Sequence, residues 1–222
     1  MSKINENKAN VKTINYSESL KKKFSRWDCI IVPYGNIFGV DKMPNTKEYW
    51  AICNDCSNGT NIKKGSEIDH VTNIGFIKSK QFNGVEIDKE IADRNAQIEE
   101  GNWHHGDFYE VMANCQARGN FNPGVINIDT GFKSRKASEL CSDILFMLTK
   151  ENVSDVFVIL NYVLEYMGLA ESQDKIMEML LSNDRYNYAQ EYGDWQTTPF
   201  PYIYNGTEDN SGTVMSTIGF VR

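Results

Sequence analysis

The sequence predicts an α/β fold built on a mainly parallel sheet with helices on both faces. Three observations point there. From about residue 49 onward, short apolar runs of strand length alternate with helix-length amphipathic segments. One run, Val156-Phe-Val-Ile-Leu160, is apolar at every position, as a strand buried on both faces requires. The chain closes on two strand-like runs, 200–204 and 214–221, with the polar turn 205–212 between them, which reads as an antiparallel hairpin.

The individual elements follow in order. Residues 1 to about 16 are polar and aperiodic, a loose tail. Residues 17–26 can form a short helix capped by Ser17 or Ser19. Cys29-Ile-Ile-Val-Pro33 reads as an extended segment ended by Pro33 and Gly35, and 35–47 as loop. A strand at 49–53 precedes a helix at 66–79, with Ile68 and Val71 facing inward and Ile74 a further candidate for that face. A strand at 82–86 leads to a helix at 89–100 that Gly101 stops. A strand at 102–105 leads to a helix at 108–117 bearing Val111, Met112 and Cys115. A strand at 124–129 leads to a helix at 137–149 bearing Leu140, Ile144, Met147 and Leu148. The apolar strand 156–160 and a helix at 173–181 complete the alternation. The chain thus divides into residues 1–48, a tail, short helix and lid-like segment, and an α/β domain over 49–222.

Bulk properties narrow the function. The 222 residues suit one domain with a sizeable core, and 41% hydrophobic with 12% aromatic residues suits a folded chain. A net charge of -7 disfavours broad nucleic-acid binding without excluding a local patch. The basic run Lys21-Lys22-Lys23 with Arg26 reads as a solvated helix face. No apolar stretch reaches the roughly 18–20 residues of a membrane span, and no apolar segment follows the N-terminus as in a signal peptide. With five cysteines, an odd number, this leads us to expect a cytoplasmic protein with free thiols. Cys53-x-x-Cys56 would need a second ligand pair to hold a metal, or a thioredoxin-like context for redox work. Adjacent His104 and His105 on a strand point to opposite faces, so no metal is expected.

Two stretches carry the chemistry: Trp50-Ala-Ile-Cys-Asn-Asp-Cys-Ser-Asn-Gly59 and Phe82-Asn-Gly-Val-Glu-Ile-Asp88. A strand, a tight polar loop, a helix and a strand tipped by an acid form half of a nucleotide-type cofactor site. Asp55, Ser57, Asn58 and Gly59 could offer side-chain oxygens and backbone N–H groups to a ligand, or simply make a turn. Glu86 could hold a ribose diol, or be an exposed strand-end carboxylate. Asp88 is better suited to capping the helix from Lys89. Asp107 could bind a base amino group or cap a helix, with Phe108 against the ring or in the core. Asn127, Asp129 and Thr130 end a strand at the mouth of the sheet, where a carboxylate can orient a nucleophile or accept its proton, or where they simply cap or form a turn before Gly131.

This order of elements resembles the class I S-adenosylmethionine-dependent methyltransferase family over residues 49–222. The resemblance implies a Rossmann-like three-layer sandwich with a seven-stranded, mainly parallel sheet whose last strand is inserted antiparallel. It implies S-adenosyl-L-methionine as cofactor. Asp55, Cys56, Ser57, Asn58 and Gly59 would wrap its methionine end, Glu86 its ribose, and Asp107 with Phe108 its adenine. Asn127 and Asp129 would face the methyl group and the acceptor, which the sequence does not name. Ahead of this domain, the segment Tyr34-Gly-Asn-Ile-Phe38 could close as a lid over cofactor or substrate, or pack against the sheet edge. Of the family's glycine-rich loop only Gly59 remains, which leaves a non-catalytic methyltransferase-like binding module as one alternative. A nicotinamide-dependent oxidoreductase is another, against which the absent Gly-x-Gly-x-x-Gly and the terminal hairpin weigh. Neither a Pro-Pro-aromatic motif after the fourth strand nor a Pro-Cys pair is present, as amino- or cytosine-methylating DNA enzymes would carry.

Overall fold

The computed structural model describes residues 27–28, 30–52, 67–98, 100–163, 169–205 and 214–222. The expected helix at 17–26 and the loop bearing Asp55, Cys56, Ser57, Asn58 and Gly59 lie outside the described residues.

Seven strands make one sheet: β1 (Glu48–Ile52), β2 (Phe82–Glu86), β3 (Asn102–His105), β4 (Pro123–Lys133), β5 (Phe157–Val163), β6 (Gln196–Asn205) and β7 (Val214–Val221). Their spatial order is β3-β2-β1-β4-β5-β7-β6. Strands β1 to β5 pair in parallel, and β7 runs antiparallel to both β5 and β6. This is the Rossmann-like three-layer sandwich with one reversed strand that the sequence predicts. Its helices are α1 (residues 30–38), α2 (Glu67–Asn73), α3 (Lys89–Ile98), α4 (Phe108–Ala117), α5 (Ser134–Lys150), α6 (Leu169–Leu181) and α7 (Asp184–Gly193). Right-handed crossovers put α2 and α3 on one face, because β1, β2 and β3 step outward in one direction. The chain reverses direction at β4, so α4 and α5 fall on the other face.

The two faces are separate hydrophobic layers. Alternate residues of β1 divide between them: Tyr49 and Ala51 pack with Ile30, Tyr34, Val71 and Phe82, while Trp50 and Ile52 pack with Phe108, Ile144 and Leu148. A strand covered on both sides needs apolar residues at consecutive positions, which is why 49–52 lacks polar alternation.

The sequence-based boundaries of β2, β3, α4 and β7 agree with the structure. Others need correction. Residues 30–38 are helical, not an extended segment and loop. Trp27, Ile30, Tyr34 and Phe38 recur at helical spacing, and the first three are buried against the sheet. That apolar face outweighs the lost Pro33 N–H bond and Gly35's low propensity. The described part of the lid-like segment is therefore part of the α/β core. A Cβ built on Gly124, at the start of β4, would come within 3.2 Å of the Tyr34 hydroxyl. Tyr34 thus sits at the amino end of the strands, opposite the mouth a lid would cover. Strand β4 also runs past Asp129 to Lys133 and passes directly into α5. Helix α7 adds an element the sequence reading lacked, capped by Asn183, whose side chain accepts from the Arg185 and Tyr186 N–H groups.

Candidate functional site

The strand order places a topological switch point between β1 and β4. From there the chain steps to β2 and β3 on one side and to β5 on the other. Sheets of this kind bind ligands in the crevice outside the carboxyl ends of the strands at such a point. The register shows what lies there. Ile52 pairs with Val85 and Ile128, Ile128 with Leu160, and Leu160 with Ile218. One residue further along the parallel strands, and one back along β7, a single row on the α1–α3 face contains Glu86, Asp129, Asn161 and Thr217. Glu86 and Asp129 flank the tip of β1, two strand spacings or about 10 Å apart at their backbones. Both carboxylates are largely sheltered, 6% and 8% exposed.

Local features fix Glu86. Two residues earlier, Gly84 lies under the Trp103 ring of β3, where a Cβ would approach ring carbons to 2.3 Å. At the tip, the Gly106 N–H donates to the Glu86 carbonyl at 3.0 Å. The next residue, Ile87, is 68% exposed, so a large apolar side chain stands beside a sheltered acid. Asp88 caps α3 as expected, its Oδ1 accepting from the Glu90 and Ile91 N–H groups at 2.8 and 3.1 Å.

The other expected site residues divide. Asp107 Oδ1 accepts from the Tyr109 N–H at 2.9 Å and caps α4, the alternative role weighed for it. Phe108 is 4% exposed and packs edge-on against Trp50, so its ring belongs to the core rather than to an open cleft. Asn127 is 0% exposed, and both ends of its amide are occupied. It is an interior residue, one row below the mouth. Only Glu86 and Asp129 of the described candidates stand at the carboxyl tips as buried acids.

From Thr217 and Asn161 of that row a connected set of buried polar groups runs down to Asn127 and Glu67. Thr217 Oγ1 donates to Asn161 Oδ1 at 2.8 Å, Asn161 Nδ2 to Asn127 Oδ1 at 2.8 Å, and Asn127 Nδ2 to Glu67 Oε1 at 2.8 Å. The Tyr49 hydroxyl donates to the same Glu67 oxygen at 2.5 Å. Along this chain of side chains the donors run toward the carboxylate. Such groups survive burial because each finds a partner. Glu67, Asn161 and Thr217 were missed in the sequence. A signal for Glu67 existed: it lies four residues before Val71, on the inward face of the same helix. Asn161 directly follows the apolar run 156–160, and a polar residue after such a run reads as a strand end rather than as interior.

On the opposite face His104 stacks on Trp50, with centroids 5.3 Å apart. The Asn83 amide gives its N–H to the Gln81 carbonyl and offers its oxygen to His104 Nε2 at 3.1 Å. Burial, and then the positive charge of Arg118, push the His104 pKa down and favour neutral imidazole.

No family model and no curated protein sequence matches the chain. Solved structures do. One is a candidate SAM-dependent methyltransferase from Streptococcus mutans, 10% identical over 78% of this chain and 44% of that chain, with a TM-score of 0.46. A second is SMU.776, a candidate methyltransferase complexed with SAH, 12% identical over 82% of this chain and 47% of that chain, TM-score 0.47. A third is a candidate rRNA-methylase from Clostridium thermocellum, 16% identical over 79% of this chain and 90% of that chain, TM-score 0.37. The chain thus spans under half the length of the first two. The order of the sheet, with a single reversed strand beside β5, is that of the class I methyltransferase fold.

Proposed function

We propose that the protein is an S-adenosylmethionine-dependent methyltransferase. The observation that carries the reading is Glu86, a sheltered acid at the tip of β2 beside the switch point, followed by the exposed Ile87. An acid there suits a ribose diol, which offers two hydroxyl donors to one carboxylate. An apolar side chain next to it suits the flat face of a base. These residues fit the adenosine half of the cofactor.

When bound, the cofactor supplies an activated methyl group on a sulfonium centre. The protein's part is then positioning and exclusion of water. Glu86 holds the ribose. Asp129, in the same row across the tip of β1, orients the acceptor or takes up its proton. The segment bearing Asp55, Cys56, Ser57, Asn58 and Gly59 is assigned to the methionine end by its place directly after β1. The acceptor is left open.

Calorimetric titration with S-adenosylmethionine and S-adenosylhomocysteine tests the reading, with NAD as the control. Micromolar binding of the first two and none of NAD supports it. Silence toward both overturns it, and binding of NAD alone redirects it to an oxidoreductase.

A further inference from the structure

At the tip of β4 the backbone pairing with β5 becomes irregular. Regular pairing of β4 with β1 is described as far as Ile52 with Ile128. On the other side the β4–β5 register breaks after Asp129: Asp129 pairs with Asn161, but the next pair is Lys133 with Val163. Four steps along β4 therefore match two along β5, and two extra residues bulge out immediately after the candidate acid. A bulge leaves ladder groups unpaired and lets the strand bend. Asp129 is the last regularly paired residue before that break.

At this last regular level a side chain adds to the ladder. Asn161 Nδ2 donates to the Ile128 carbonyl at 3.1 Å, the carbonyl of the peptide that joins Ile128 to Asp129. It also donates to Asn127 Oδ1 at 2.8 Å. A backbone carbonyl only accepts, so the amide nitrogen must face β4 and the amide oxygen must face β7. There Thr217 Oγ1 supplies the donor at 2.8 Å. Turning the Asn161 amide over would set its oxygen against two acceptors. At the other end Asn127 is held by Glu67, in the first turn of α2.

We propose that Asn161 is a positioning residue which, with Asn127 and Glu67, clamps the tip of β4 and so sets where Asp129 stands at the mouth. What the held tip does rests on the methyltransferase reading; how it is held does not. The clamp joins α2 to β4, β5 and β7, so the two sides of the crevice are fixed to one another by side chains.

The test is amide hydrogen exchange across residues 129–133 in the full chain. Asn161→Asp keeps the shape and removes the donor; Asn161→Ala covers the case in which a buried charge prevents folding. A core variant on the opposite face, Ile176→Val or Ile176→Ala, is chosen to match the loss of thermal stability. Exchange at the tip is expected to rise about tenfold over the wild type, the size of one lost hydrogen bond, and not in the matched control. Equal exchange in variant and control would mean that Asn161 only stabilises the fold, which overturns the clamp. Titration of the wild type with S-adenosylhomocysteine is run alongside. Its silence would sink the methyltransferase reading while exchange still decides the clamp.

Discussion

Gly84 and the Trp103 ring are in contact across β2 and β3, so close that a Cβ on Gly84 would lie 2.3 Å from Trp103 Cζ3. The glycine is required by this approach, not by its backbone angles. Gly84→Ala must push the indole outward or part the two strands. Overpacking of this kind costs about 1–3 kcal/mol. Urea denaturation should show that loss. Because Glu86 follows two residues later, affinity for S-adenosylhomocysteine should fall with it. Unchanged stability would show that Trp103 moves aside freely.

Glu86 and Asp88 are neighbours with different work to do. Asp88 already caps α3 through two backbone N–H groups. Asp88→Ala should cost about 1 kcal/mol of stability, the usual worth of such a cap, and leave cofactor affinity alone. Glu86→Ala should weaken S-adenosylmethionine binding by about tenfold to a hundredfold, as expected for lost hydrogen bonds to a charged group. Equal affinities for wild type and Glu86→Ala would refute the ribose assignment.

The sheet was legible because burial on both faces leaves unmistakable runs such as Val156-Phe-Val-Ile-Leu160, and because β–α alternation dictates handedness and layer. Helix α1 was misread for a local reason: Pro33 and Gly35 look like breakers, and the Trp27, Ile30, Tyr34 and Phe38 stripe is visible only at a longer period. The tip acids could be found, since a strand end followed by a helix start is a local pattern. The set Tyr49, Glu67, Asn127, Asn161 and Thr217 could not be assembled from the sequence. Its members meet only once β1, β4, β5 and β7 are in register. Residue type alone cannot tell a buried amide in such a set from one that faces a substrate, and Asn127 is the example.

His104 should make stability depend on pH. Its pKa is lowered in the folded protein by burial and by Arg118, so the unfolded chain binds the proton more readily. The contribution is fully present above the unfolded value of about 6.5 and is lost as pH falls from there through the lowered folded value. Comparing urea midpoints at pH 7.5 and 5.5 should show a smaller acid loss in His104→Gln than in the wild type. Parallel losses would mean that the imidazole protonates in place without penalty.

Cys141 and Cys115 should differ in reactivity. Both thiols are free; Cys141 is fully buried in α5, and burial pushes its pKa far up. The thiolate is the reactive form, so a maleimide should leave Cys141 unmodified in the native protein and label it after denaturation. Peptide mass spectrometry reads this directly. Rapid native labelling of Cys141 would mean that α5 opens easily from the sheet.

Tyr34 separates a core role from a lid role. Its ring is buried among Phe38 and Phe76, and its hydroxyl lies by Gly124 at the amino end of β4. Burial, and then the charge of Asp155, push its pKa up to about 12. The folded state therefore keeps the proton that the unfolded chain releases near pH 10. Stability from this group is intact below that pH and is lost as pH rises toward about 12. Tyr34→Phe should flatten part of the alkaline loss seen by circular dichroism, with Tyr186 leaving a remainder because burial raises its pKa too. Affinity for S-adenosylhomocysteine should not change, since the ring stands at the far end of the strands from Glu86. A clear drop in affinity for Tyr34→Phe would restore the lid and contradict the placement of α1.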